Sequence, residues 1–334
     1  MECDGLVRVG SFHTFAIAKP LNPLQSLSIV IPIYNEGEGI HLLCERLEGC
    51  IQSMEQHAHV EVIFVDDHSS DNSPQLIQAW ISKHPKFRYV RLSRNLGSHI
   101  AIIAGLTVCK GDAAVFMAGD LQDPPELISD LFKKWLEGFD VVWAVRAERQ
   151  GITFLSSLFS RFFYWLLGKM TNLHIPPKGA DYALLDRKVY HGLVQSAGSK
   201  PSIGALISWL GFKQAEISYI KESRQFGKSK WTLSKKLNAF ADAFVGFSYL
   251  PMRFMSFAGA ISAIVGFLYA IVIVAMRLYI DNPIEGWASL MVITLIIGGL
   301  QMLMLGILGE YIWRNLEESR RRPLFLIEDQ KGFD

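Results

Sequence analysis

Cysteine is scarce in this 334-residue chain: Cys3, Cys44, Cys50 and Cys109 are the four, with no Cys-x-x-Cys pair and no histidine at metal-ligand spacing. A zinc site and a disulfide framework are both excluded on that count, leaving reduced thiols or core filler. An excess of one charge is lacking too. The 33 Lys and Arg balance 32 Asp and Glu to a net charge of +1, so no basic field exists to hold a nucleic acid. No G-x-x-x-x-G-K-[ST] loop occurs, which removes the P-loop nucleotide hydrolases. Gly37-Glu38-Gly39 begins like a dinucleotide fingerprint, but Leu42 stands where the third glycine belongs. Residues 1–26 lack a sustained apolar run and a cleavage pattern, so the expectation is a loose N-terminal tail and no signal peptide.

Two stretches lack charge altogether. Phe254 to Met276 and Gly286 to Gly309, 23 and 24 residues, contain no charged side chain, in a chain that is 50% hydrophobic with a mean hydropathy of +0.22. Each would form a helix of about 35 Å, enough to cross a hydrocarbon core of roughly 30 Å with some tilt. The short connection from Arg277 to Glu285 contains Asp281, Asn282 and Pro283, which implies a transmembrane hairpin over 254–312. Lys228, Lys230, Lys235, Lys236 and Arg253 precede the first span, and Arg314, Arg320, Arg321 and Arg322 come after the second. By the positive-inside rule, the large N-terminal part and the tail 313–334 are cytoplasmic.

Short β-rich runs alternate with helical stretches over the first half: LSIVIPI (27–33), VEVIFVD (60–66), RYVRL (88–92), AAVFM (113–117) and DVVWAVR (140–146). Continuous apolar runs predict strands buried on both faces of a mostly parallel, Rossmann-like sheet. Such sheets bind ligands at the carboxyl ends of their strands. Polar groups stand after four of the runs: Tyr34-Asn35-Glu36, Asp66-Asp67-His68-Ser69-Ser70-Asp71, Gly119-Asp120-Leu121-Gln122-Asp123 and Arg146 with Arg149. Taken singly, Asp71 or Ser70 would cap a helix and Pro124-Pro125-Glu126 would start one.

Taken in order, IVIPIYNE (29–36), VDDHSSD (65–71), SRNLGSHIAIIAG (93–105), GDLQDPPE (119–126), VVWAVRAER (141–149), GADYALLDR (179–187), RQFGKSKW (224–231) and, after the apolar spans, GEYIWR (309–314) form a set. It resembles the family-2 glycosyltransferases of the polyprenyl-phosphate type, relatives of dolichyl-phosphate mannose synthase. The resemblance implies an α/β GT-A fold over 27–230, amphipathic interfacial helices, and the C-terminal transmembrane hairpin. It implies inverting transfer of a sugar from a nucleotide-sugar donor to polyprenyl phosphate, for modification of cell-envelope glycans by an enzyme integral to the inner membrane. UDP-glucose with undecaprenyl phosphate is the expected pair and GDP-mannose the alternative donor; assembly into a homo-oligomer stays open.

Carried over by position, the resemblance assigns Pro32, Tyr34, Glu36, Asp66 and Asp67 to the nucleotide. Mg²⁺ or Mn²⁺ falls to Asp120 and Gln122. The family usually has Asp-x-Asp here, whereas this chain has Ala118-Gly119-Asp120, so the first carboxylate is missing. Asp181 falls near the sugar, and Arg161 and Arg224 near the acceptor phosphate, with Arg146, Arg149, Lys228 and Lys230 as further ligands. A phosphate monoester is already anionic near neutral pH, so attack on the anomeric carbon needs no strong base. Positioning and stabilisation of the leaving diphosphate carry the chemistry. Segment 152–170, with six aromatics, and segment 231–253 read as interfacial helices. A processive polysaccharide synthase is a rival, but its Q-x-x-R-W motif is absent. A membrane-tethered binding protein that has lost catalysis is the other, supported by Ala118 alone.

Overall fold

The computed structural model describes residues 24–147, 181–198, 202–222, 250–279, 286–320 and 322–333. Strands β1 (Gln25–Ile33), β2 (Ala58–Asp66), β3 (Phe87–Leu92), β4 (Ala113–Phe116) and β5 (Val141–Arg146) fall within two residues of the runs read from sequence. Three further strands, β6 (Ala183–Asp186), β7 (Gln214–Tyr219) and β8 (Ile327–Lys331), complete one eight-stranded sheet of order β7-β5-β6-β4-β1-β2-β3-β8. The pairs β1–β2, β1–β4, β2–β3 and β5–β7 are parallel. β6 runs antiparallel between β4 and β5, and β8 antiparallel along β3. The expected mostly parallel α/β sheet is therefore present, with β6 and β8 as antiparallel additions.

Burial on both faces explains the continuous apolar runs. Leu27, Ile29, Ile31 and Ile33 of β1 pack on one face with helices α1 (Ile40–Met54), α2 (Ser73–Ile81) and α4 (Ile128–Leu136). Val30, Ile63 and Val65 face the other way, against α3 (Ser98–Val108), α5 (Arg187–Ser196) and α6 (Ile203–Trp209). Cys44 and Cys50 are buried free thiols in the first of these layers, and burial pushes both up to about 12. They stay protonated, as core filler should.

The C-terminal tail departs from expectation. Helix α7 (Leu250–Tyr279) contains the first charge-free stretch and helix α8 (Trp287–Ser319) all of the second but Gly286, and α8 continues past Gly309 through Glu310. Both are long and apolar enough to cross a membrane, and neither apolar window is buried by protein. Beyond α8 the chain forms an edge strand of the sheet, not a free tail. IEDQK has no apolar run to announce a strand, but Leu324, Phe325 and Phe333 on its flanks pack against the α3 side of the sheet. An exposed, charged edge strand is also the usual protection against edge-to-edge pairing.

Gly105 sets how closely α3 lies on the sheet. A Cβ there would stand 2.3 Å from Val30 Cγ1 and 2.9 Å from Val65 Cγ2, both buried and without room to retreat. Overpacking outweighs the gain in helix propensity, so Gly105→Ala should cost about 1–2 kcal/mol. Urea unfolding of the detergent-solubilised protein, followed by tryptophan fluorescence, measures it.

Candidate active site

Chain order reverses beside β1. From it the chain proceeds through β2 and β3 on one side, while β4 lies on the other. A crevice at such a switch point is where open α/β sheets bind ligands. Here it lies between the exits of β1 and β4, with the exit of β2 next in line. Asn35 (φ 51°), His68 (φ 61°) and Leu121 (φ 59°), the non-glycine residues with positive φ among the described residues, stand one in each of these three exits. Left-handed backbone at Leu121 is costly and persists because its side chain is held in the core at 1% exposure.

Hydrogen bonds stitch the first two exits together. Asn35 N–H donates to Ser69 Oγ, Glu36 N–H to Ser73 Oγ and Gly37 N–H to Asp71 Oδ2, each at 3.0 Å. In return, Asn35 Oδ1 accepts from the Ser70 N–H at 2.8 Å. Gly37 reflects this closeness: a Cβ there would lie 2.1 Å from Asn72 Oδ1, so the exposed Asn72 side chain would have to move. Gly37-Glu38-Gly39 is thus a packing feature, consistent with its failure as a dinucleotide fingerprint.

Asp66 and Asp67 are buried and engaged by the fold itself. Asp66 accepts from the Ser69 N–H and the Tyr89 hydroxyl, each at 2.8 Å, and pairs with the Arg91 guanidinium. Asp67 accepts the N–H groups of Leu96 (2.7 Å) and Gly97 (2.8 Å), fixing the entry to α3. Burial raises the Asp67 pKa, the two N–H bonds opposing it. Any nucleoside contact would share these oxygens. Pro32 and Glu36 are half-buried and Tyr34 exposed, so the first exit is the accessible wall. Arg91 also donates to Glu328 of β8 at 2.9 Å, which brings the C-terminal strand to the rim.

The exit of β4 crosses close over β1. A Cβ on Gly119 would approach Ile33 Cδ1 to 2.4 Å. Asp120 is half-buried, and its Oδ1 accepts from the Gln122 N–H at 3.2 Å. Among the described residues no group of three or more His, Cys, Asp or Glu could hold a metal. One carboxylate and one amide are a sparse donor set. They suit a Mg²⁺ or Mn²⁺ ion held jointly with substrate phosphates and water, and do not suit a metal caged by protein alone.

Two places beyond β4 in the sheet, Arg146 at the end of β5 pairs with Asp181 at 3.0 Å, the Arg side chain 15% and the Asp 59% exposed. Tyr219 is the register partner of Arg146 across β5–β7 and stands beside its guanidinium. Burial opposes its charge, but Tyr219 and the nearby Asp181 and Asp123 hold its pKa above the ordinary value. Asp123 is fully buried; its Oδ1 accepts from the Tyr219 hydroxyl and lies 3.5 Å from Lys221 Nζ. Burial raises the Asp123 pKa, with Lys221 and Tyr219 opposing. Arg46 of α1 forks onto Glu126 (2.7 Å) and Glu222 (2.9 Å), locking the loop after β4 to the exit of β7. Arg149, Arg161, Arg224, Lys228 and Lys230 lie outside the described residues, as do segment 152–170 and nearly all of 231–253.

The sequence reading puts Asp120 and Gln122 after β4 and Arg146 at the end of β5, where the structure has them, while Asp181 comes from the family resemblance alone. It misses Arg91, Asp123, Tyr219 and Lys221. Asp123 is read only as one of the polar groups after β4, with no role of its own, and Tyr219 ends a strand whose alternating, half-exposed pattern (QAEISY) does not announce itself as one.

A model of glycosyl transferase family 2 matches residues 28–193. An uncharacterized glycosyltransferase of Bacillus subtilis, YkcC, is 38% identical over 92% of this chain and 94% of its own. The chain belongs to glycosyltransferase family 2. The bactoprenol glucosyl transferase of Shigella phage SfV is 32% identical over 91% of this chain and 99% of its own. Among solved structures, glucosyl-3-phosphoglycerate synthase of Mycobacterium tuberculosis is 18% identical, with a TM-score of 0.49 over 66% of this chain and 78% of that one. This family-2 glycosyltransferase is an enzyme with the α/β sheet expected of a GT-A fold.

Removing one partner of a buried ion pair leaves an uncompensated charge. Arg91→Ala should therefore destabilise the protein by about 3 kcal/mol, and Asp66→Asn combined with it should recover part of the loss. Chemical denaturation of the two variants and the double variant closes the cycle.

Proposed function

We propose that this glycosyltransferase moves a hexose from a nucleotide diphosphate sugar, UDP-glucose in the first instance, to polyprenyl phosphate, inverting the anomeric centre at the cytoplasmic face of the inner membrane. The observation that carries the reading is that, on the β4 side of one switch-point crevice, Asp120 follows β4 and the Arg146–Asp181 pair stands at the end of β5. A chain in which the same sheet continues into two apolar helices supports a lipid acceptor. Relatives named as bactoprenol glucosyl transferases support both the acceptor and glucose.

In this reading Pro32, Tyr34 and Glu36 line the nucleoside, with Asp66 and Asp67 shaping the loop behind it. Asp120 and Gln122 hold the divalent ion, which when bound supplies Lewis-acid stabilisation to the leaving diphosphate. Arg146 offers a charge-assisted fork to the acceptor phosphate, and Asp181 keeps that fork aimed while it orients the sugar. The acceptor oxygen attacks C1 as the C1–O bond to the diphosphate breaks, and no proton transfer is required. Arg149, Arg161, Arg224, Lys228 and Lys230 would add positive charge at the lipid phosphate.

Purified protein with radiolabelled UDP-glucose and polyprenyl phosphate should form labelled lipid; labelling from GDP-mannose alone would reassign the donor. Asp120→Ala should lower turnover roughly 100-fold or more, and full activity in EDTA would remove the metal role. For topology, Asn282→Cys should react with an impermeant maleimide added outside intact cells, and Asp130→Cys only after lysis. Reaction of both from outside would overturn the hairpin.

A further inference from the structure

Arg146 and Tyr219 are register partners across the parallel β5–β7 ladder, so their side chains emerge on the same face. The Tyr219 hydroxyl donates to Asp123, and the Arg146 guanidinium stands beside Tyr219 on that face. Asp123 Oδ2 and Arg146 Nε have no hydrogen-bond partner among the described residues, although both are buried. Tyr219 thus joins the two groups, bonded to Asp123 through its hydroxyl and next to Arg146 in the ladder. A second link runs in parallel. Tyr182, next to Asp181, donates its hydroxyl to the Pro124 carbonyl at 3.1 Å and meets the Tyr219 ring edge-on at 6.0 Å between centroids. Each member of the Arg146–Asp181 pair is thus traced back, through a tyrosine, to the loop after β4 that carries Asp120.

We infer that Tyr219 is a positioning residue: its hydroxyl, anchored on Asp123, sets the aim of the Arg146 guanidinium toward the acceptor phosphate. The aim toward a phosphate rests on the proposed function, while the positioning of Arg146 does not. A tyrosine that only filled the core would tolerate phenylalanine, which keeps the ring and its contact with Tyr182.

Two measurements on the full-length protein in detergent separate these. In the transfer assay, Tyr219→Phe should raise the half-saturating polyprenyl phosphate concentration about tenfold and leave nucleotide-sugar affinity within twofold. The double variant Tyr219→Phe/Arg146→Ala should lose no more than Arg146→Ala alone, because the hydroxyl acts through the guanidinium. Independently of any acceptor, Arg146 should react with phenylglyoxal several times faster in Tyr219→Phe, read by mass spectrometry of its peptide. Losses that multiply in the double variant, or an unchanged Arg146 reactivity, would overturn the inference. If the wild type transfers nothing to polyprenyl phosphate yet Arg146 is unmasked by Tyr219→Phe, the proposed function falls and the positioning stands. Should Tyr219→Phe not fold, Asp123→Asn weakens the same link from the other side and carries the same expectations.

Discussion

Parallel pairing of β1 with β2 on one side and β4 on the other is the constraint on which the site depends. In register, Ile33 stands opposite Asp66, and Val30 opposite Phe116. The ladder thereby fixes the exits of three strands within one row, whatever their loops contain. The loops then need only to be held apart from collapse and close enough to share a ligand. That is the role of the cross-loop hydrogen bonds around Asn35 and of the Arg46 fork onto Glu126 and Glu222. Left-handed backbone at Asn35, His68 and Leu121 is the cost of turning each exit sharply across the sheet edge.

The carboxylates near this row divide into two classes by what already binds them. Asp66, Asp67 and Asp123 are buried, and the fold supplies their donors from backbone N–H groups, Tyr hydroxyls, Arg91 or Lys221. Asp120 and Asp181 keep solvent-accessible surface. A buried charge must be paired to be tolerated, so the first class stiffens the loops. Only the second class can take on a substrate without unmaking the architecture. An acid in the sequence does not reveal its class, because the partner that decides it is far along the chain: Tyr89 and Arg91 for Asp66, Tyr219 and Lys221 for Asp123.

This is also where legibility stops. The five runs buried on both faces are readable as strands because periodicity and β-branched residues sit in the segment itself. β6 is four residues long, β7 is a half-exposed edge, and β8 is polar throughout, so nothing local distinguishes them from loops. β8 exists because flanking Leu324, Phe325 and Phe333 find an apolar face built by residues more than 200 positions earlier. The strand-end residues of the site are legible through topology, since a mostly parallel sheet announces which ends matter. Tyr219 is not, since its strand is not.

The return of β8 to the sheet also limits how far the site can stray from the two apolar helices. From the end of α8 at Ser319 to the start of β8 at Ile327 there are eight residue steps, which span about 28 Å at full extension. Were 313–334 a free tail, the sheet would be tied to the hairpin through the segment before α7 alone and could swing about that single connection. With β8 paired to β3 and Glu328 bonded to Arg91, a second tether ends at the rim of the crevice, beside the loop that Asp66 organises. A second tether from the same hairpin restricts rotation as well as distance. An enzyme whose acceptor lies in the bilayer, as proposed here, needs that restriction, because the crevice must face the membrane plane each time a donor is bound.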